Sequence, residues 1–176
     1  MKSDTIAAIA TALSDAGIGI IRISGPEAIA VANRVVVNKK KEHTLKNWQT
    51  HTIHYGFVEE NGTILDEVMV SVMKAPRSYT TEDTVEINCH GGVLLTKRVL
   101  EAVLHAGARM AEPGEFTKRA FLSGRIDLSE AEAVMDLIQA KNQFSMQASI
   151  KQLRGSVAEK VKSLRAALLY EIAFIE

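Results

Sequence analysis

The sequence predicts an α+β fold, with a strand-rich N-terminal domain followed by helices. Up to about residue 88, the apolar residues come in short runs rich in Ile and Val, as in buried or half-buried strands. Beyond residue 90 they recur with the three- and four-residue spacing of amphipathic helices. A chain of 176 residues that is 47% apolar and 24% charged can bury a sizeable core, which argues against a disordered protein.

In the N-terminal part, five segments have the composition of strands: residues 5–11, 17–24, 51–60, 64–74 and 84–89. A short helix is predicted over 26–37, with Pro26 at its first position. The three consecutive lysines at 39–41 then predict a solvated loop, with a weak phosphate-binding patch as the alternative. Asn61-Gly62, between two alternating runs, predicts a β-hairpin.

The segment after His90-Gly91-Gly92 is predicted to be a helix. Its apolar residues share one face, and they are Leu94, Leu95, Val99, Leu100, Val103 and Leu104. Gly107 is placed to cap this helix just beyond its C-terminal end. Near Met110 the pattern allows a short edge strand.

A long helix is predicted to begin at a capping box formed by Ser129 and Glu132 and to run to Arg154. A second helix is predicted from Ser156, with an apolar stripe that reaches Ile175. Two helices alone cannot bury both stripes well. We therefore expect residues after about 120 to belong to a helical domain whose remainder lies outside this sequence.

Charge and cysteine content restrict the class of protein. The 21 Lys and Arg residues balance 21 Asp and Glu residues, which argues against non-specific phosphate binding as the main task. Cys89 is the only cysteine, and we expect it to be a buried core residue in a reducing compartment. The sequence contains no run of 18 apolar residues, the length needed to span a membrane. Asp4 and Asp15 also interrupt the N-terminal segment, where a signal peptide would be continuously apolar. We expect a cytoplasmic protein without membrane contact.

Two charged residues stand out against the strand pattern. Alternation places Arg22 on the same face as Ile18 and Ile20, so its guanidinium needs a partner. The alternatives are a structural role, as an ion pair or as an Arg that snorkels at a sheet edge, and a contact with an anionic or planar ligand. Alternation also places Glu86 on the polar face of its strand. If that face closes over a pocket, the carboxylate can accept two parallel N–H donors from a heterocycle, and otherwise the strand is an ordinary amphipathic one.

Known catalytic motifs are absent from the sequence. It contains no G-x-x-x-x-G-K-[ST] phosphate-binding loop, no G-x-S-x-G nucleophile motif and no H-E-x-x-H zinc motif. The five histidines do not have the spacing of a metal site. We therefore predict no catalytic residue, no metal site and no GTPase activity in this chain by itself.

A family resemblance rests on four segments: DTIAAIAT, GIGIIRISGPEA, APRSYTTEDTVEINCHGG and GARMAEPGEFTKRAFLSGRIDLSEAEAVMDLIQAK. Together they resemble the N-terminal part of the MnmE (TrmE) family of tRNA-modification GTPases. The resemblance implies a tetrahydrofolate-binding and dimerisation domain over residues 1–118, similar in fold to folate-binding aminomethyltransferases. It also implies the start of a helical domain over 119–176, ending before the Ras-like G domain.

The resemblance further implies ligands and partners. The ligand of the N-terminal domain would be 5-formyl- or methylene-tetrahydrofolate, and the full-length protein would also use GTP, Mg²⁺ and K⁺. The expected assembly is a homodimer that works with the FAD-dependent partner MnmG. The complex would add an aminomethyl or carboxymethylaminomethyl group to C5 of the wobble uridine of certain tRNAs.

Three folate-binding residues carry over from the family pattern. The Arg of GIIRISG is Arg22, the last Glu of E-D-x-x-E is Glu86, and the basic residue of AFLxGxxDL is Arg125. The sequence also departs from the family in two places. A T-P-x-G-x-G-type loop usually follows the first strand, whereas residues 12–17 here are ALSDAG, and Thr81 stands where Gly is common.

Two alternative functions remain open from the sequence. A glycine-cleavage-type folate-dependent aminomethyltransferase would share the fold and the ligand class, but the helical continuation after Ser129 is typical of the GTPase. A dimerisation scaffold with a degenerate pocket would share everything except ligand binding. The altered loop at 12–16 is the feature that favours the scaffold.

Overall fold

The α+β fold predicted from the sequence is confirmed. The structure, a computed structural model, describes residues 4–175. They form two compact units, of which the first extends to Phe116 and the second begins at Thr117. All strands lie in the first unit.

The first unit is built on one seven-stranded sheet. Its strands are β1 (Ile6–Ile9), β2 (Ala16–Ser24), β3 (Val36–Val37), β4 (Thr52–Glu60), β5 (Thr63–Met73), β6 (Thr84–Gly91) and β7 (Arg109–Met110). In space they follow the order β3-β4-β5-β6-β2-β1-β7. Neighbouring strands are antiparallel except β1 and β7, which run parallel. The edge strand expected near Met110 is β7.

Two helices pack on one face of this sheet. They are α1 (Ala28–Val35) and α2 (Val93–His105), and α2 contacts β1, β2, β5 and β6. The core between these helices and the sheet consists of alternate strand residues and one side of each helix, including Ile21, Ile23, Val70, Val72, Val85, Ile87, Val31, Val99 and Val103. Because successive strand residues point to opposite faces, the remaining side chains of these strands lie on the other face.

We call that other side the outer face. It carries Ile18, Ile20 and Arg22 of β2, Glu86 and Asn88 of β6, Met69 and Ser71 of β5, and Ile53 and Tyr55 of β4. These side chains are exposed or half-buried, whereas their neighbours along β5 and β6, and Gly19, Ile21 and Ile23 of β2, are buried. The alternation that set Arg22 and Glu86 apart in the sequence therefore corresponds to a real division between core and outer face.

Most elements of the first unit lie where the sequence predicts them. The hairpin is confirmed, because Asn61 and Gly62 join β4 to β5 with φ angles of 51° and 80°. The helix predicted over 26–37 is shorter than expected and begins at Ala28. Val36 and Val37 pair with β4 as the strand β3 instead, because β-branched side chains favour extended backbone and both are buried there.

The second unit contains helices only. α3 (Glu115–Leu122) leads into it from the first unit, and α4 (Leu128–Gln139), α5 (Gln143–Leu153) and α6 (Ser156–Ile175) follow. α4 and α5 pack together, and the Gln152 amide donates to the Ser129 carbonyl at 2.9 Å. The predicted start of a helix at Ser156 is confirmed.

The capping box is two residues earlier than predicted. It is formed by Asp127 and Glu130, not by Ser129 and Glu132. The Asp127 carboxylate accepts from the Glu130 N–H at 2.8 Å, and the Glu130 carboxylate accepts from the Asp127 N–H at 2.7 Å. Ser129 only donates its hydroxyl to Asp127 at 2.8 Å. An Asp at the cap position satisfies the same backbone donors as a Ser, so the earlier position is equally favourable.

The prediction of one long helix from 129 to 154 is wrong, because the helix is interrupted between α4 and α5. Ala140 has φ −59° and ψ 124°, which is outside the helical region. The Asn142 side chain then accepts from the Ser145 N–H at 2.8 Å and caps a new helix. Asn competes with helical hydrogen bonding in this way, and the apolar periodicity does not reveal it.

No helix in the described part of the chain is long and apolar enough to cross a membrane. Among residues 4–175, no group of three or more His, Cys, Asp and Glu side chains is arranged to hold a metal ion.

Candidate functional site

Arg22 and Glu86, which the sequence identified separately, form an ion pair on the outer face. They lie directly opposite each other in the register of β2 and β6, and Arg22 Nε donates to Glu86 Oε1 at 2.8 Å. Their side chains are 32% and 21% exposed. The structural ion pair considered for Arg22 therefore exists. At this exposure it stabilises the fold by about 1 kcal/mol or less, so stability alone is a weak reason for its presence.

The pair uses only part of its hydrogen-bonding capacity. Within the described residues, the two Nη atoms of Arg22 and the Oε2 atom of Glu86 have no hydrogen-bond partner. A guanidinium has several N–H donors, and each carboxylate oxygen can accept more than one hydrogen bond. Both side chains can therefore bind a ligand while they remain bonded to each other.

An aromatic ring lies beside the guanidinium. Arg22 Cζ is 5.7 Å from the centroid of the Phe116 ring, which is within the range of a cation–π contact. The start of α3, which carries Phe116, is fixed by Glu115. The Glu115 carboxylate accepts from Arg109 Nη2 at 2.7 Å and from the Glu112 N–H at 2.8 Å. Sequence reasoning missed Phe116, although it stands in the EPGEFTKRAFL segment that carries the family resemblance.

A polar network adjoins the pair at the end of β2. Ser24 Oγ lies 2.6 Å from Thr80 Oγ1, and it donates to Glu82 Oε2 at 2.8 Å. Ser24, Thr80 and Thr84 are all nearly fully buried. These bonds fasten the segment between β5 and β6 over this end of the sheet. Glu82 therefore has a structural role that differs from that of Glu86.

Arg125 lies in the second unit, between α3 and α4, and is exposed. Its backbone N–H donates to the Ala120 carbonyl at 3.0 Å and helps to close the end of α3. The structure thus brings Arg22 and Glu86 together. The role of Arg125 in the same site stays a prediction.

The two departures from the family pattern have different structural settings. Thr81 has a φ of 62°, in the left-handed region that favours glycine, which costs a threonine about 1 kcal/mol or more. The altered residues 12–17 are exposed. Just before them, Thr11 Oγ1 accepts from the Ile20 N–H at 3.3 Å and ties the segment to β2.

Cys89 is a core residue, as predicted. It is 3% exposed on the core face of β6, and its Sγ donates to the Gly19 carbonyl at 3.3 Å. Burial raises the pKa of the thiol, which disfavours the reactive thiolate.

His90 and Asp66 form a second charged contact on neighbouring strands. His90 Nδ1 lies 2.8 Å from Asp66 Oδ1, and the His90 N–H donates to Asp66 Oδ2 at the same distance. The hydrogen bond and the charge of Asp66 raise the pKa of His90. Sequence spacing gave no sign of this contact, because 24 residues separate the two partners.

Comparisons with known proteins identify the family. The family model described as "GTP-binding protein TrmE N-terminus" matches residues 5–125, and the model described as "MnmE helical domain" matches residues 128–176. A tRNA modification GTPase MnmE from Lachnoclostridium phytofermentans is 58% identical over 176 residues, which are 100% of this chain and 38% of that protein. The corresponding proteins of Listeria welshimeri and Streptococcus thermophilus are each 53% identical. They match 100% and 98% of this chain and 38% and 37% of their own lengths.

This chain therefore spans less than two fifths of the length of these relatives. The two family models follow each other along the chain and together cover almost all of it. The chain belongs to the MnmE (TrmE) family of tRNA modification GTPases, and it matches the family's N-terminal domain over residues 5–125 and its helical domain over residues 128–176.

Proposed function

We propose that this chain is the tetrahydrofolate-binding and dimerisation module of a GTPase that modifies the wobble uridine of tRNA. The observation that carries the proposal is the half-exposed Arg22–Glu86 pair on the outer face, with unused donors and an unused acceptor oxygen. The match of residues 128–176 to the MnmE helical domain supports the GTPase over a glycine-cleavage-type aminomethyltransferase.

The chemistry of the pair fits a folate. A pterin presents an amino group and a ring N–H side by side, and the Glu86 carboxylate can accept both. Arg22 orients that carboxylate, and its remaining N–H groups suit a ring carbonyl or a carboxylate of the ligand. We infer that Arg125 adds a second positive charge for the folate carboxylates. When bound, 5-formyl- or methylene-tetrahydrofolate supplies the one-carbon unit.

Dimerisation is supported by exposed apolar side chains at one end of the first unit. Leu13 precedes β2, Ile18 lies in its first half, and Leu94 begins α2, which follows directly on β6. These side chains are 47%, 61% and 76% exposed. Clustered exposed apolar residues are typical of protein interfaces.

In the full-length protein, we propose that a G domain outside this chain binds GTP, Mg²⁺ and K⁺. The cytoplasmic assembly then acts on tRNA with the FAD-dependent MnmG.

Calorimetric titration tests the folate proposal. We expect the chain to bind 5-formyltetrahydrofolate with one site per chain, and to bind p-aminobenzoylglutamate much more weakly because that compound lacks the pterin. If the two compounds bind equally, the pterin is not the group that is recognised. If neither binds, the degenerate scaffold is the better account, and the altered segment at 12–16 is the first place to look for the cause.

A further inference from the structure

A basic loop and an exposed aromatic ring meet at the β4 edge of the sheet. The loop spans residues 38–42, and its three lysines, Lys39, Lys40 and Lys41, are all exposed. With Lys46, the segment 38–46 has four lysines against one glutamate, in a chain whose formal net charge is zero. Within the described residues, none of the three loop lysines forms an ion pair. The local positive charge is therefore available to a ligand.

The loop has a defined shape. Asn38 Oδ1 accepts from the N–H groups of Lys40 and Glu42 at 2.8 and 3.0 Å. Asn38 Nδ2 donates to the Glu42 carboxylate at 3.0 Å, and the Asn38 N–H donates to the Glu42 carbonyl at the same distance. The only acidic side chain of the loop is thus engaged by Asn38 and does not neutralise a lysine. Because the backbone of the loop is already fixed in this way, it loses little backbone entropy when the lysines bind a ligand.

An exposed aromatic side chain continues the same surface. Lys39 Nζ lies 5.2 Å from the centroid of the Tyr55 ring, and Tyr55 is 40% exposed. The Tyr55 ring meets the Phe57 ring edge to face at 5.3 Å. β3 covers β4 only at Phe57 and Val58, so the edge of β4 beside Tyr55 is not covered by a further strand.

We propose that Lys39, Lys40, Lys41 and Tyr55 form a contact surface for an unpaired segment of RNA. The lysines bind successive phosphates, and the Tyr55 ring stacks on a base. Lysines next to an exposed aromatic ring are the combination that binds single-stranded nucleic acid, whereas an acidic peptide needs no ring. The choice of RNA over DNA rests on the proposed function in tRNA modification, while the surface itself rests on the contacts above.

Fluorescence anisotropy with the whole chain and a fluorescein-labelled RNA hairpin with an unpaired loop tests this surface. We expect a Kd of about 1–100 µM at physiological salt and a strong salt dependence. Replacing all three loop lysines by Gln is expected to weaken binding about tenfold or more. It should also reduce the slope of log K against log salt by about 2, at about 0.7 per phosphate contact on a single strand.

Matched controls separate a local surface from net charge. The triple variant K97Q, K151Q and K160Q removes the same charge elsewhere and should keep most of the affinity. Tyr55→Leu should weaken binding about fivefold or more without changing the salt slope, and Tyr55→Phe should bind like the parent.

Three results would overturn the proposal: no binding of the hairpin by the parent, equal losses in the two triple variants, or equally effective competition by polyglutamate. Titration of the loop variant with 5-formyltetrahydrofolate keeps the two proposals apart, because the loop residues do not belong to the Arg22–Glu86 site. Loss of RNA binding with intact folate binding therefore supports this surface. If the parent does not bind folate, the folate proposal fails, and the RNA titrations alone decide whether the lysines and Tyr55 form an RNA-binding surface.

Discussion

Gly91 is the last residue of β6 and Gly92 directly precedes α2, yet we expect these two neighbours to respond very differently to substitution by alanine. A Cβ added at Gly91 would lie 2.4 Å from the Ala16 carbonyl oxygen and 2.8 Å from the carbonyl carbons of Ala16 and Ile18. A Cβ added at Gly92 would meet nothing within 4 Å, and Gly92 has an ordinary φ of −65°. The pair therefore provides a variant and its matched control.

The cost at Gly91 follows from the atoms that the new Cβ would meet. They belong to the backbone of β2, where the pairing with β6 is irregular between Ala16 and Gly19, so no side-chain rotation relieves the overlap. Carbon and oxygen atoms normally approach to about 3.3 Å, so β2 must move by almost 1 Å. Overpacking of this kind costs about 1–3 kcal/mol, and we expect about 2–3 kcal/mol for Gly91→Ala. For Gly92→Ala, lower entropy of the unfolded chain offsets a weaker cap, so we expect a change within about 0.5 kcal/mol.

Urea unfolding followed by the fluorescence of Trp48 measures both variants. Trp48 is the only tryptophan, lies in the first unit and stacks on His54 with ring centroids 3.9 Å apart. With a slope of about 2 kcal/mol per molar urea, Gly91→Ala should lower the midpoint by about 1 M, whereas Gly92→Ala should leave it nearly unchanged. Equal midpoints for the two variants would show that β2 does not approach β6 as described.

Three further predictions concern nucleotide binding, assembly and pH. The chain should neither bind nor hydrolyse GTP, because it has no phosphate-binding loop, and a saturable signal with a fluorescent GTP analogue would contradict this. Light scattering at high micromolar concentration should give twice the 19.2 kDa mass of the chain, with Ile18→Asp shifted towards the monomer, and a parent mass near 19.2 kDa would refute dimerisation. Because Asp66 raises the pKa of folded His90, their contact stabilises the fold below about pH 6.5 and loses this effect as the pH rises through the raised pKa. The melting temperature of His90→Gln should therefore decline less over that range than that of the parent, and identical profiles would exclude the contact.

Local patterns explain what could be predicted of the fold. Alternation depends only on neighbouring residues, so the burial of Cys89 and the outer-face positions of Arg22 and Glu86 follow from the sequence. Helix boundaries were less accurate because several residues can cap. Asp127 competes with Ser129 for the same role, and Asn142 interrupts an apolar pattern that by itself continues.

Contacts between distant residues explain what could not be predicted of the site. The register that sets Arg22 against Glu86 joins residues 64 positions apart, and no local signal specifies it. The approach of Phe116 to the guanidinium likewise depends on where α3 begins. The need for glycine at Gly91 arises from the backbone of β2, which is distant in the sequence, so no local pattern reveals it.

The central claim, that Glu86 recognises a pterin, is tested most directly by titrating Glu86→Gln with 5-formyltetrahydrofolate beside the parent and Glu101→Gln. Glu101 is a better control than the carboxylates nearer to Glu86 in the sequence, Glu82 and Asp83. Those two accept structural hydrogen bonds from Ser24 and Ala75, whereas Glu101 pairs only with Arg98 on the exposed side of α2.

An amide cannot accept two parallel donors, and hydrogen bonds to a charged group contribute about 1.5–3 kcal/mol. We therefore predict that Glu86→Gln binds about tenfold or more weakly, with a nearly unchanged melting temperature, and that Glu101→Gln binds like the parent. Binding of Glu86→Gln with the affinity of the parent would contradict the claim.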